Sequence, residues 1–305
     1  MSNLFSDLCE RERHMIRKRV SYLLLLGAAL VFAGCEKDVD GELITPTVVA
    51  GLRYVNLVPD TGGMDIRIID VVGDAPNTFN ATFRTGGQPY GLAITGMPWY
   101  TAVLAGTRQI RAFMSSTDPA IATQVMLNLT YDFEANVNYT VYLYGYSRTG
   151  QTPSLQAVVT RDDPAAPGTN IAVRVVHLAP TLAPTLTGTS LDVYVDAQAV
   201  GVTPTGTPTF ATVAPGGAGS YVTMAPGAYR AAAAVTATTT PFIAAVAPAG
   251  VAGTSTTDPT PGAGIAGTAL SIIVAPPSVA GSSATSFATP GLLFITDRKP
   301  PRTAP

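Results

Sequence analysis

The sequence is poor in the side chains that most catalytic and metal sites use. Its 305 residues include two cysteines, two histidines and one tryptophan, and charged residues make up 12%. Beyond residue 34 the sequence retains one histidine, His177, and one cysteine, Cys35. A zinc site built from His and Cys ligands, or a Cys–His catalytic pair, needs more of these residues than one chain supplies. We therefore expect no metal site, no cofactor and no enzymatic activity.

Two other kinds of hydrolytic site are also disfavoured. A Ser–His–Asp triad could use His177, but the sequence has no GxSxG motif and no alternation of strands and helices to support one. Glycoside hydrolysis needs two carboxylates facing each other across a cleft, and no sequence feature singles out such a pair.

His177 has a counterpart earlier in the chain. "VRVVHLAP" at 173–180 matches "LRYVNLVP" at 52–59, which places Asn56 at the position of His177. We therefore expect both side chains to hydrogen-bond to the loop that follows them.

The charge balance argues against nucleic acid as a partner. From Cys35 onward there are 13 Lys and Arg residues against 17 Asp and Glu residues, spread thinly and without a basic cluster. Nucleic-acid binding proteins concentrate positive charge on one face, and this sequence does not.

The N-terminal 34 residues have the pattern of an export signal. Basic residues at Arg17–Arg19 precede an apolar run from about Tyr22 to Phe32, and small residues follow at Ala33 and Gly34. The run is roughly a dozen residues long, whereas a membrane-spanning helix needs about 20. The pattern therefore predicts a cleaved leader, with translation starting at either Met1 or Met15.

The end of this leader resembles the lipobox of bacterial lipoproteins, reading Phe32-Ala33-Gly34-Cys35. Phe32 stands where the motif usually has leucine. The resemblance implies that Cys35 is acylated, with palmitate among its chains, and becomes the new N-terminus of a membrane-anchored protein. Glu36 after the cysteine favours the outer membrane under the sorting rules of such proteins. We therefore expect a lipid-anchored protein of the cell envelope.

The rest of the chain contains an internal repeat. "LRYVNLVP" at 52–59 matches "VRVVHLAP" at 173–180, and "YTAVLAG" at 100–106 matches "YVTMAPG" at 221–227, both at an offset of 121 residues. "MDIRIID" at 64–70 matches "LDVYVD" at 191–196, and the copies close with "VVTRDDP" at 158–164 and "FITDRKP" at 294–300. A repeat of this kind predicts two copies of one structural unit. A low-complexity stretch at 247–267 predicts an exposed loop inserted in the second copy.

The order of these motifs resembles the bacterial domain of unknown function 4397 family. The resemblance covers residues 51–165 and 171–300, and the first copy departs from it at Asn56 and Arg67. It implies extracytoplasmic β-sandwich modules in tandem, and no catalytic or ligand residues come with it.

Strand patterns lead independently to the same fold class. Short segments such as 139–144 and 192–196 are rich in β-branched and aromatic residues, and Gly and Pro separate them at intervals typical of sandwich strands. We predict an all-β chain of two tandem antiparallel Ig-like β-sandwich domains after an N-terminal lipoprotein signal peptide. The predicted boundaries are 1–34 for the signal peptide, 35–50 for the acylated tether, 51–165 for the first sandwich, 166–170 for the linker and 171–300 for the second sandwich.

Aromatic residues of the first repeat are the candidate ligand-binding surface. Tyr142, Tyr144 and Tyr146 alternate along one face of a predicted strand, and Trp99 and Tyr100 lie in the same domain. Such rings can stack on a sugar or on a partner protein, or they can simply pack against neighbouring strands.

Four aspartates, Asp60, Asp65, Asp70 and Asp74, approach the spacing of a calcium loop without matching it. We expect them to be solvated residues at turns and strand ends.

The sequence therefore favours a non-enzymatic envelope lipoprotein that presents two sandwich modules for structural or adhesive contacts. An alternative is a carbohydrate- or peptidoglycan-binding lipoprotein that uses the aromatics of the first domain. Its partners would be the membrane, reached through the lipid anchor, and an envelope protein or a glycan.

Overall fold

The structure, a computed structural model, describes residues 48–69, 83, 86–91, 100–284 and 287–302. These residues form fifteen β-strands and one helical turn, α1 (Pro119–Ala122). The prediction of an all-β chain is confirmed. The leader, Cys35 with the predicted tether up to residue 47, and Trp99 lie outside the described residues, and the last two residues of the predicted tether belong to the first strand.

The first repeat forms two sheets that pack into a sandwich. Its inner sheet has the strand order β3-β1-β6-β7 and its outer sheet the order β2-β4-β5. The strands are β1 (Val49–Leu57), β2 (Met64–Ile68), β3 (Thr101–Leu104), β4 (Gly106–Met114), β5 (Val125–Phe133), β6 (Asn138–Tyr144) and β7 (Gln156–Arg161).

The second repeat forms a second sandwich with the same plan. Its inner sheet has the order β11-β8-β14-β15 and its outer sheet the order β10-β9-β12-β13. The strands are β8 (Ile171–His177), β9 (Leu191–Asp196), β10 (Phe210–Val213), β11 (Val222–Met224), β12 (Arg230–Val235), β13 (Pro241–Val246), β14 (Ala269–Ala275) and β15 (Gly291–Arg298). Among the described strands, β10 is the addition that the first sandwich lacks.

Each inner sheet contains one parallel pair of strands, which the sequence did not predict. β1 runs parallel to β6, with Leu52 opposite Tyr139, and β8 runs parallel to β14, with Val173 opposite Leu270. All other pairs of named strands are antiparallel. Both sandwiches therefore share an unusual detail as well as a strand order, as expected for two copies of one unit.

The inner sheets are buried on both faces because they pack against each other. One face of each covers the core of its own sandwich, and the other contributes to a third apolar cluster that includes Val55 and Tyr142 from the first repeat and Val176 and Ile273 from the second. Every residue of β8 and β14 is buried, whereas β5 of an outer sheet alternates between exposed and partly buried residues. A sheet covered on both sides needs apolar residues on both sides, and continuous runs such as "IIVA" at 272–275 supply them.

Equivalent strands of the two sandwiches, such as β1 and β8, run in the same direction. The loops that follow β1 and β14 meet, where Val279 N donates to Pro59 O at 2.7 Å. At the opposite end, the Arg298 guanidinium at the close of β15 donates to Pro164 O, just after β7, at 3.2 Å. We call the first of these the distal end. The second, where Val48 leads into β1, is the tether end.

The low-complexity stretch at 247–267 is an ordered connection at the tether end. Val251 and Thr260 exchange two backbone hydrogen bonds of 3.0 and 2.9 Å, and Ala247 and Ala263 are buried in the second core. The prediction of a loop is confirmed, although its two ends contribute to the core.

Candidate functional site

An extensive polar arrangement of the described residues lies between the two inner sheets. We call it the central cluster. Each sandwich contributes an arginine from its first strand and the tyrosine that begins the repeat motif at 100–106 or 221–227. It also contributes a hydroxyl residue from the strand parallel to its first strand and an aspartate from its closing motif. The members are Arg53, Tyr100, Thr140 and Asp162 from the first sandwich and Arg174, Tyr221, Ser271 and Asp297 from the second.

The ion pairs of the central cluster cross from one sandwich to the other. Arg53 Nη2 donates to Asp297 Oδ1, and Arg174 Nη2 donates to Asp162 Oδ1. Arg53 Nη2 also lies 3.4 Å from its own Asp162, and Arg174 Nε lies 3.7 Å from its own Asp297. Each guanidinium therefore takes its closest carboxylate from the other repeat. This exchange is what a two-fold symmetric interface between identical subunits would show.

Each arginine is held in place by its own sandwich as well. Arg53 Nε donates to Thr140 Oγ1 at 2.7 Å, and the equivalent bond from Arg174 to Ser271 measures 2.6 Å. Each guanidinium also donates a hydrogen bond to a backbone carbonyl of the other sandwich. Arg53 Nη1 donates to Thr296 O at 2.6 Å, and Arg174 Nη1 donates to the carbonyl oxygen of Arg161 at 2.9 Å.

The two tyrosines complete the cluster from its edges. Tyr100 donates to Asp162 Oδ2 and Tyr221 to Asp297 Oδ2, both at 2.8 Å. The guanidinium of Arg53 lies 4.4 Å from the centre of the Tyr100 ring, and that of Arg174 lies 4.7 Å from the Tyr221 ring. Burial raises the pKa of both phenols well above the ordinary value, so both hydroxyls remain protonated donors.

The charges of the central cluster balance without help from solvent. Burial by itself lowers the pKa of Arg53 and Arg174, but the facing carboxylates Asp297 and Asp162 raise the pKa of both to above the ordinary value. Two positive and two negative charges cancel, and all four charged side chains are nearly excluded from water. An ion pair at such depth is tolerated only when its hydrogen bonds are satisfied on all sides, which is the case here.

The apolar half of the interface breaks the symmetry of the polar half. Tyr142 and Tyr144 project from β6, whereas the equivalent positions on β14 are Ile273 and Ala275. A Cβ atom at Gly216 would lie 2.5 Å from the Tyr144 hydroxyl. The second sandwich therefore makes room for the Tyr144 ring by having a glycine at this position. Large residues on one side thus face small residues on the other.

The predicted aromatic surface is largely inside this interface. Tyr142 is fully buried, Tyr144 is 7% exposed and donates to Gln156 Oε1 at 2.7 Å, and Tyr100 belongs to the central cluster. Tyr146 lies partly exposed in the loop after β6, and Trp99 is not among the described residues. In this arrangement the rings of Tyr142 and Tyr144 contact protein, so neither is open to a ligand.

His177 and Asn56 make the loop contacts that their shared position predicts, and that prediction is confirmed. Ala179 N donates to His177 Nδ1 at 3.4 Å, and Val58 N donates to Asn56 Oδ1 at 3.0 Å. With Nδ1 accepting, Nε2 carries the proton and donates to Thr189 O at 3.0 Å. Burial lowers the pKa of His177 to about 4, with the Thr189 carbonyl opposing the shift. The imidazole is therefore a neutral structural group at pH 7.

The expectation of solvated aspartates in the first repeat is wrong for the two that the structure describes. Asp60 is 4% exposed because it accepts from Ser147 N and Arg148 N, both at 2.9 Å. Asp65 is 2% exposed and pairs with Arg67 at 3.3 Å. Asp70 and Asp74 lie outside the described residues. Within the described ranges, no group of three or more His, Cys, Asp or Glu side chains is placed to hold a metal ion.

A cavity of about 320 Å³ opens at the distal end of the first sandwich, on its outer sheet. Its lining includes the Asp65–Arg67 pair and the hydroxyl residues Ser115, Ser116 and Thr117. The guanidinium of Arg67 lies 4.1 Å from the centre of the Phe113 ring and donates to Ala122 O at 3.0 Å, which fixes one wall.

Comparison with known families supports one part of the resemblance seen in the sequence. The family described as Domain of unknown function (DUF4397) matches residues 50–188. That range holds the whole first sandwich and the opening strand, β8, of the second, and over it the chain is similar to this family. No curated protein matches the chain. In the part of the chain that the structure describes, no helix has the length and apolarity needed to cross a bilayer.

Sequence reasoning missed the central cluster, although its signals were visible. An arginine interrupts an otherwise apolar strand in both "LRYV" and "VRVV", at the same offset as the two tyrosines. A buried strand tolerates a charge only when a partner is present. The recurrence of this arginine together with a closing aspartate could have predicted a buried pair, but not that the pairs cross between repeats.

Removing one arginine of the central cluster should destabilise the whole molecule. We expect Arg53→Met and Arg174→Met each to lower the free energy of unfolding by about 3–5 kcal/mol, because each strands a buried carboxylate. Both variants should unfold in a single transition, since each sandwich needs the charges of the other. Urea denaturation followed by circular dichroism measures both quantities.

The matched control is Arg161→Met, whose side chain forms exposed ion pairs with Glu134 and Asp163 and should change stability little. Two separate unfolding transitions in the wild type, or central-cluster variants as stable as the Arg161 control, would contradict this account.

The buried imidazole of His177 should make stability depend on pH below neutrality. Unfolded histidine takes up a proton near pH 6.5, whereas folded His177 does so only near pH 4. As pH falls through this window the unfolded state gains protons that the folded state lacks, so the free energy of unfolding drops by about 3 kcal/mol. Above pH 6.5 the effect is absent.

The variant His177→Asn copies the residue of the first repeat and keeps an acceptor for Ala179 N. Urea denaturation at pH 7.5 and pH 4 should show a smaller loss of stability in this variant than in the wild type. Equal losses in the two proteins would show that His177 does not carry the effect.

Proposed function

We propose that the chain is a non-enzymatic lipoprotein of the bacterial cell envelope, anchored through acyl chains on Cys35. Its two sandwiches serve as one rigid body for structural or adhesive contacts. The observation that carries this proposal is the central cluster, in which Arg53 and Arg174 each bind the aspartate of the other sandwich. Two modules joined in this way hold a fixed relative orientation, which suits a spacer or a scaffold.

The position of the polar groups also supports a scaffold. The arginines and aspartates that bring the two repeats together are saturated by one another, and His177 is saturated by its own loop. These groups stabilise the fold and are not left available for proton transfer at pH 7. The burial of Tyr142 and Tyr144 removes the main support for glycan binding through the aromatics of the first domain.

The anchor rests on the sequence pattern around Cys35. Acyl chains contribute about 0.8 kcal/mol for each buried CH₂ group, and stable attachment to a bilayer takes more than one chain. The lipobox implies such multiple acylation. The outer membrane is the proposed location, because Glu36 rather than aspartate follows the cysteine.

Metabolic labelling with palmitate tests the anchor. The wild-type chain should incorporate label and partition into the membrane fraction, and Cys35→Ala should do neither while keeping the same thermal stability. The substitution Cys9→Ala is the matched control, since Cys9 lies in the predicted leader. Label retained in Cys35→Ala would show that acylation at Cys35 does not anchor the protein.

A further inference from the structure

The most exposed large hydrophobic side chains of the described residues all lie at the tether end. Five valines are about half exposed or more: Val48 (54%), Val200 (48%), Val202 (47%), Val246 (70%) and Val251 (64%). Val48 leads into β1, Val200 and Val202 lie between β9 and β10, Val246 ends β13 and Val251 follows it. Each of these positions is at the end of the sandwich opposite the distal loops.

The remaining exposed hydrophobic residues are less exposed, and three of the four lie toward the distal end. Ile121 lies in the connection between β4 and β5, Val125 begins β5, and Phe242 is near the distal start of β13. Val222 is the exception, since it pairs with Val173 in the half of β8 nearer the tether end. The exposures of all four are between 37% and 39%. Single exposed apolar residues are ordinary on a protein surface. The concentration of the five most exposed valines at one end indicates that the two ends of the molecule face different environments.

The valines of the second sandwich are held outward by ordered backbone. Arg230 is almost fully buried and donates from Nη1 to Ala199 O and Val202 O, both at 2.5 Å, which fixes the segment containing Val200. Arg230 is also the partner of Val246 in the β12–β13 pairing, so the two valine-bearing segments are neighbours. Val251 is fixed by its paired hydrogen bonds to Thr260.

Exposed charges at the same end are largely paired with one another. Arg161 lies 2.5 Å from Glu134, and Arg302 lies 2.9 Å from Asp258. A surface that combines apolar side chains with internally balanced charges gains little from an anionic headgroup. It gains from the apolar boundary of a bilayer, because amphipathic protein surfaces bind there through buried apolar area.

We propose that the tether end rests on the lipid surface, with Val200, Val202, Val246 and Val251 entering the boundary between headgroups and acyl chains. This inference rests on the proposed anchor at Cys35. Twelve residues separate Cys35 from Val48 and reach about 40 Å when fully extended, so the anchor keeps the tether end within that distance of the membrane. The distal loops then face away from the lipid.

Depth-dependent quenching in vesicles tests this orientation. Two variants of the acylated full-length protein are made in a Trp99→Phe background, so that each has a single tryptophan. Val251→Trp places it at the tether end, and Ile121→Trp places it toward the distal end. In zwitterionic phosphatidylcholine vesicles containing brominated lipid, we expect at least twofold quenching and a blue shift for Val251→Trp. The Ile121→Trp emission should stay unchanged. Added salt should alter neither result, because the contact is apolar.

A second variant checks that the valines make the contact. Val246→Asp added to the Val251→Trp chain should reduce the quenching while the acyl chains keep the protein on the vesicles. Equal emission of the two tryptophans, or quenching of Ile121→Trp alone, would overturn the proposal. Quenching of neither, together with dimerisation in solution that Val246→Asp abolishes, would assign the valines to a second copy of the chain.

The anchor can fail separately from this proposal. A mass spectrum of the Cys35 peptide shows directly whether acyl chains are present. If they are present and the vesicle-bound chain shows no quenching, the tether end does not touch lipid although the anchor stands. If they are absent, the two tryptophan variants are mixed in solution with saturating vesicles. Quenching of Val251→Trp without quenching of Ile121→Trp then supports the contact, and equal emission overturns it.

Discussion

The crossed ion pairs Arg53–Asp297 and Arg174–Asp162 are the constraint on which the rest of the structure depends. A buried charge without its partner costs several kcal/mol, and here each sandwich buries a guanidinium whose closest carboxylate belongs to the other. Separating the two repeats would break both crossed pairs and would expose the apolar residues of the third cluster, such as Tyr142 and Ile273, to water. The two repeats behave as halves of one body, and the short connection between β7 and β8 joins parts that are already bound to each other.

The interface combines a symmetric polar part with an asymmetric apolar part, and the two parts have different consequences. The arginine, tyrosine, hydroxyl and aspartate groups are equivalent in both sandwiches, so by themselves they would permit either sandwich to pair with its own kind. Tyr144 against Gly216 favours the unlike pairing, because a second sandwich paired with its own kind would place Ala275 rather than a ring at Gly216 and leave a void. Duplication accounts for the shared polar groups, and divergence at a few apolar positions fixes which face meets which.

Sequence reasoning reached the fold because the relevant signals are local. Strand residues, turn residues and the offset of 121 between repeats lie within short stretches, and the loop contacts of Asn56 and His177 span only two residues. It failed where the partner is distant in the chain. Asp60 looked like a solvated turn residue because its donors, Ser147 and Arg148, come 87 and 88 residues later.

The burial of the inner sheets was hidden for a related reason. An alternating strand such as β6 shows that Tyr142 and Tyr144 share a face, but alternation does not tell whether that face meets water, a ligand or another sheet. The run from Ile272 to Ala275 in β14 was the better signal, since consecutive apolar residues place apolar side chains on both faces of a strand, and both faces must then be covered. This run indicates that the inner sheet of the second copy is covered on both faces, but it does not indicate that the first copy is the cover.

The common direction of the two sandwiches separates the surface of the molecule into two ends with different chemistry. Because β1 and β8 run the same way, the loops of both repeats gather at the distal end, where Pro59 and Tyr90 of the first bind Val279 and Pro276 of the second. Had the repeats been related by an axis across the strands, each end would carry loops of one repeat and turns of the other. With the observed arrangement, the most exposed valines collect at one end, and the cavity beside Asp65 lies at the other. A body built in this way can meet two different environments at once without any change of shape.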